Sequence, residues 1–356
     1  MLGMAASMSR GRRRRKEPMR LLACRLLLLA GCLLPRLASA EPPRASAVAA
    51  PWRNGAVTPG GDAGFVFMAQ HGGFATRAGL ALSMSTQASD PLLLKSLLAG
   101  DLDSYEGSPG NPMMAAAEGA DVRVVACHWH KVNYEFWSRP PVASMQDLRG
   151  RRVGVTAPGS SPDLFVRAVM LEAGVTANQV TFVVSATPAE QLESLANGLA
   201  DSAITPNEFR DRARRMGFDE LTNARQSARP FLRRCFFVRA STIAHRSDAL
   251  THFLVAEIAA YEYALNHRDA EITLTREIIN AAPNATEPEL AFDDAVERHS
   301  ISAVFAVPVD NFIWLNTLLV RLGDMQPGYD ARRFIDTRAL EHALKLGPQM
   351  ATTKPK

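Results

Sequence analysis

An eleven-residue stretch that occurs twice limits what this chain can fold into. Leu94-Lys95-Ser96-Leu97-Leu98-Ala99-Gly100-Asp101-Leu102-Asp103-Ser104 returns as Leu192-Glu193-Ser194-Leu195-Ala196-Asn197-Gly198-Leu199-Ala200-Asp201-Ser202, with Leu, Ser, Leu, Gly, Asp and Ser coinciding at a constant offset of 98. Each copy carries leucines three apart, ends its helix at a glycine suited to a left-handed cap, and opens the next strand on Asp. Each then runs into a Ser/Thr-Pro step with a nearby Asn: Ser108-Pro109 with Asn111, and Thr205-Pro206 with Asn207. Shared turn chemistry can produce one such match; the longer common context favours two lobes built on one plan. Open α/β sheets bind ligands beyond the carboxyl ends of their strands, at topological switch points. Two equivalent strand ends, one per lobe, would therefore face each other across a cleft.

The rest of the chain fits this plan. Strands are expected at 56–58, 80–84, 122–127, 152–156, 180–184, 202–205 and 236–239, and helices at 65–74, 91–98, 162–173, 250–266 and 310–322. Such alternation marks an α/β protein with mainly parallel sheets. The roughly 310 residues after position 40 exceed what one core usually serves.

The formal charge of +4 is the sum of two unlike parts. Residues 1–40 hold nine basic side chains and one acid, which leaves 31 basic against 35 acidic in the rest, a net charge of −4. Nucleic acid is thereby excluded as a partner. Residues 1–40 have the form of an export signal: a basic start ending near Arg20, an apolar run at 21–34 broken by Arg25, and Ala38-Ser39-Ala40 as an A-x-A cleavage site before Glu41. The apolar run is too short and too interrupted for a membrane span. Leu29-Ala30-Gly31-Cys32 offers an alternative, a lipid anchor at Cys32, and Met19 an alternative start. Residues 41–51 are expected as a flexible lead-in. Beyond the leader only Cys127 and Cys235 remain, either joined as a disulfide or buried as free thiols.

Several side chains are candidates for the cleft. In the turn from Thr58 to Gly64, glycines such as Gly61 let backbone N–H groups approach a ligand, with Asp62 alongside; a plain turn is the alternative. Gly159-Ser160-Ser161-Pro162-Asp163 suits a helix start with Ser161 as N-cap, so N–H groups and the helix dipole converge on an anionic or accepting group. The bland reading has Ser161 only capping its helix, with Asp163 complementing the dipole. Ser160 lacks the G-x-S-x-G surroundings of a hydrolase nucleophile. Ser108 and Thr205 would donate from opposite walls, with Tyr105 and Glu106 beside the first and Asn207 and Glu208 beside the second. In Cys127-His128-Trp129-His130 the two histidines would share one face of a strand, but zinc wants three or four ligands and no third is identifiable, so a structural role is favoured. Trp129 would stack on a planar ligand. Residues 131–139 and 231–240 are candidate linking strands, which puts Arg233 and Arg234 near the cleft or on a solvated face.

Four stretches in order resemble the periplasmic substrate-binding proteins of ABC importers for nitrate, taurine, alkyl sulfonates and thiamin pyrimidines: Phe65–His71 continuing through Gly72-Gly73-Phe74 to Ala78-Gly79-Leu80; the paired repeat; 147–155 with Pro158-Gly159-Ser160; and the helical end at 323–340. The resemblance implies a two-lobed, type II periplasmic-binding-protein-like α/β fold with a two-strand hinge. It divides the chain into a first lobe of 52–139 and 236–345 and a second of 140–235. It implies ligand capture without catalysis or cofactor, a permease partner in the inner membrane, a monomer, and residence in the periplasm. Two alternatives stay open, a ligand sensor and an enzyme making the thiamin pyrimidine; such enzymes carry a Cys-rich iron-binding cluster, which Cys127 and Cys235 do not supply.

Overall fold

The computed structural model describes residues 49–226, 229–302 and 304–350, so the expected export leader and lipid-anchor Cys32 lie outside the described residues. Ten strands run β1 (Ala50–Val57), β2 (Leu80–Gln87), β3 (Ser104–Gly107), β4 (Arg123–Trp129), β5 (Tyr134–Ser138), β6 (Arg152–Val155), β7 (Thr181–Val184), β8 (Ser202–Pro206), β9 (Asp219–Asn223) and β10 (Arg234–Val238). They form two five-stranded sheets, ordered β2-β1-β3-β10-β4 and β7-β6-β8-β5-β9. In each, an inner strand (β1 or β6) pairs parallel with two neighbours, and one antiparallel strand (β10 or β5) lies between the third strand and the edge strand (β4 or β9). The antiparallel strands are exchanged. The chain leaves the first sheet after β4, enters the second as β5, and returns as β10. β5 was expected within the first lobe; its pairing with β8 and β9 places it in the second sheet. The crossings are therefore the segments around 130–133 and 229–233 rather than strands.

Among the described residues thirteen helices cover these sheets, in order α1 (Ala63–His71), α2 (Phe74–Arg77), α3 (Asp90–Ala99), α4 (Gly110–Ala117), α5 (Ser161–Glu172), α6 (Pro188–Ala196), α7 (Arg210–Arg215), α8 (Ala240–His245), α9 (Ser247–Asn266), α10 (Arg268–Ile278), α11 (Glu287–Glu297), α12 (Val309–Leu322) and α13 (Arg338–Met350). Among the described residues no helix is long and apolar enough to cross a membrane. One core packs Trp52, Phe65, Phe236 and Phe253 behind the first sheet. A second runs from Tyr105 and Phe237 through Phe165 to Leu315, and a small third lies at Trp137 and Leu192.

The repeat is structural. Gly100 and Gly198 end α3 and α6 in the left-handed region, at φ 87° and 67°. Asp103 accepts from the backbone N–H of Arg53 at 2.9 Å and takes its guanidinium through two bonds. Asp201 does the same with Arg152, at 3.0 Å from its N–H. Each Asp thus ties the strand it opens to the neighbouring parallel strand, at the middle of β1 and at the start of β6. Cys127 and Cys235 face each other across β4 and β10 and are joined as a disulfide, which resolves the alternative the sequence left open.

Candidate functional site

The carboxyl ends of the parallel strands point toward the two crossings, and charged side chains collect there although the surroundings are dry. Arg233 and Arg234 end the returning crossing and are 7% and 9% exposed. Both reach Asp62, at 3.0 and 3.1 Å from Oδ2. Asp62 stands just before α1, beyond the end of β1, and is itself buried. Burial opposes its ionisation, but Arg233 and Arg234 outweigh this and hold the carboxyl below its usual range. The Arg233 guanidinium lies over the Trp129 ring, 4.3 Å from its centroid. Its buried Nη1 has no hydrogen-bond partner.

Behind this pair lies a second layer. Arg234 Nη1 stands 3.7 Å from Glu106, whose other oxygen is 3.1 Å from His128 Nε2 and 3.4 Å from the Tyr261 hydroxyl. Burial pushes the His128 pKa down despite Glu106, so the ring is an uncharged imidazole among Phe236, Tyr261 and Phe305. His130 lies past the end of β4 with its ring nitrogen against the carbonyls of Cys127 and Ala306, so the two histidines do not share a strand face. Among the described residues no group of His, Cys, Asp and Glu could hold a metal ion.

The second sheet contributes the facing wall. Asn133, on the outgoing crossing, donates to Asn207 Oδ1 at 2.9 Å and to Glu208 Oε2 at 3.0 Å. Burial raises the Glu208 carboxyl to about 7, opposed by Arg233 and reinforced by Asp62. The walls touch where Gly110, at the start of α4, meets the Gly159 carbonyl; a Cβ on Gly110 would come within 2.3 Å of that oxygen.

Of the residues singled out from sequence, Asp62, Asn207 and Glu208 meet at this point. Others are committed elsewhere. Tyr105 is buried against Phe237 and Thr205 accepts from the Trp137 indole at 3.0 Å, because strand alternation turns both into the cores. Trp129 presents its ring to Arg233 and Phe65, leaving no face for a planar ligand. Thr58 is exposed and its N–H bonds the Gln87 carbonyl, while Gly61 packs against Glu287 and Ala291 of α11. Ser108 donates its N–H to the buried Asp90. The α5 cap falls one residue earlier than expected, on Ser160; its hydroxyl pairs with Thr156. Ser161 donates its hydroxyl to the Leu232 carbonyl of the returning crossing and Asp163 accepts from the Gly159 N–H, while among the described residues no side chain caps the first N–H groups of α5. Sequence reasoning left Arg233 and Arg234 undecided and passed over Asp90, at the start of α3, and Asn133; for the arginines and Asn133 their position on the crossings was the available signal.

Two lobes with exchanged strands and a meeting point at the strand ends define the periplasmic-binding-protein fold. The NMT1/THI5-like family model matches residues 62–271, more than half the chain, and the protein belongs to that family. A search of curated protein sequences finds no match. The alkanesulfonate-binding protein SsuA of Xanthomonas axonopodis pv. citri, solved with MOPS, is 16% identical, with TM-score 0.65 over 81% of this chain and 98% of its own. The periplasmic aliphatic sulphonate-binding protein SsuA of Escherichia coli is also 16% identical, with TM-score 0.64 over 81% and 92%. The desulfurization enzyme DSZB is 14% identical, with TM-score 0.59 over 82% and 99%. At these identities the likeness concerns the fold, which serves binding proteins and an enzyme alike.

Proposed function

We propose that this protein is the extracytoplasmic substrate-binding component of an ABC importer. It captures a small polar organic molecule between its two lobes and delivers it to an inner-membrane permease, with no covalent step. One observation carries the reading: charged and polar side chains, Arg233, Arg234 and Asp62 from one sheet opposite Asn133, Asn207 and Glu208 from the other, collect where the chain crosses between lobes, all but Asn207 of them buried. Segments that cross at the same place suit a hinge, so ligand contacts and lobe closure would be coupled. The leader-like residues 1–40 fit export to the periplasm, and the sulfonate-binding neighbours fit the substrate class.

The test is a thermal-shift screen of the protein lacking residues 1–40 against nitrate, taurine, ethanesulfonate, aminopyrimidines and aromatic acids. At least one class should raise the melting temperature in proportion to the logarithm of its concentration. Turnover of a ligand without any such rise would replace the binding role by an enzymatic one.

A further inference from the structure

We infer that Asp62 is an internal counter-anion, so that the pocket takes a net-neutral ligand offering an N–H donor beside an acceptor, and discriminates against simple organic anions. This rests on the binding-protein reading and specifies its ligand.

The argument is a charge count in a dry place. A pocket for a free sulfonate needs guanidinium donors without an anion of their own. Here the two arginines at the strand ends already share one carboxylate, at 3.0 and 3.1 Å. Behind them Arg234 also faces Glu106. Glu208 adds another buried carboxyl from the opposite wall. Of the two guanidinium groups, the Arg233 Nη1 donor is buried and unpartnered. An acceptor on the ligand fits that position. An ammonium or amino group fits the Glu208 side, where Asn133 already donates to one oxygen. A second full negative charge brought beside Asp62 would meet repulsion in a low-dielectric setting.

Isothermal titration and thermal shift with three probes test this: taurine as a zwitterion, cytosine as a neutral N–H heterocycle, and ethanesulfonate as a plain anion. For the unaltered protein, taurine or cytosine should bind at least roughly tenfold more tightly than ethanesulfonate. Asp62→Asn frees both guanidinium groups and should invert the order in favour of ethanesulfonate. Ethanesulfonate binding to the unaltered protein as tightly as the better of the two net-neutral probes overturns the inference and leaves the importer reading intact. Failure of all three probes, and of the wider screen, removes both together. Asp62→Asn leaves two buried cations with one partner fewer and is the variant at risk of failing to fold. In that case the ranking on the unaltered protein decides alone, and Glu208→Gln, which keeps an acceptor for Asn133, should weaken the net-neutral probe more than ethanesulfonate.

Discussion

The two sheets share a strand order and a tethering device and differ in what lies beneath. Asp103 and Asp201 clamp Arg53 and Arg152 with the same three bonds, and the central strands have the same register: Asn54 and Gly55 pair with Ser104 and Tyr105, Val153 and Gly154 with Ser202 and Ala203. Even the exchanged strands correspond: Phe136-Trp137-Ser138-Arg139 and Phe236-Phe237-Val238-Arg239 lie 100 positions apart, and Arg139 and Arg239 each place a guanidinium over the cap glycine of the repeat. The interiors diverge. Where the first sheet has Glu106 against His128 and Arg234, the second has Ile204 in an apolar core. The first sheet also carries the disulfide. The common plan supplies the frame, and the chemistry was placed on one side of it.

The largest expected effect breaks this asymmetry at the disulfide. Cys127 and Cys235 are 108 residues apart, and the loop they close contains the whole of the second sheet. Replacing both by Ala should lower the stability by about 5 kcal/mol, the value for a loop of that length. Urea unfolding measures the loss, and hydrogen exchange locates it. Amides of β3, β4 and β10 should lose protection first, with β6 and β8 holding; uniform loss of protection would mean that the two sheets unfold as one.

Next comes pH, to which the facing walls respond with opposite sign. The Asp62 carboxyl is held low, so its contribution is present at neutral pH and disappears as pH falls below the carboxylate range. Glu208 is raised to about 7, so its folded state favours the protonated acid. Its contribution is complete below the ordinary carboxylate pKa and is lost as pH rises through 7. At pH 8, Glu208→Gln should therefore gain on the order of 3 kcal/mol over the unaltered protein, and little at pH 4. Chemical denaturation at both pH values measures the difference. An equal change at both would place the Glu208 carboxyl at an ordinary pKa.

Much of the frame was legible because it rests on local chemistry. The glycine caps, the leucine spacing and the Asp that opens each strand are decided within a few residues, and the repeat displayed them twice. β9, Asp-Glu-Leu-Thr-Asn at 219–223, was missed because it has no apolar alternation; its order comes from pairing with β5. Which strand belonged to which sheet was missed for the same reason, although the echo of Phe136 through Arg139 at 236–239 held that information. The site was legible only as a neighbourhood. Residue type marks Tyr105, Thr205 and Trp129 as good ligand contacts, but partners distant in sequence, Phe237, the Trp137 indole and the Arg233 guanidinium, occupy each of them. Conversely, nothing local distinguishes a solvated Arg233-Arg234 pair from a buried one; Asp62, 171 residues earlier, makes the difference.

The smallest effect tests whether the repeated clamp is one device or two. Asp103 also takes Arg246 from the start of α9, and lies deeper, at 4% side-chain exposure against 10% for Asp201. Removing either carboxylate strands a backbone N–H, that of Arg53 or Arg152, beside the point where the neighbouring strand begins. Asp103→Ala should therefore lose about 2 kcal/mol, since a charged acceptor of two guanidinium groups goes with it, and Asp201→Ala about 1 kcal/mol. The clamps sit in different sheets and share no partner, so the double variant should show the sum of the two losses within about 0.5 kcal/mol. Denaturation of the three variants against the parent measures this. A double loss well short of the sum would show that the lobes, though built on one plan, stabilise each other through the crossings.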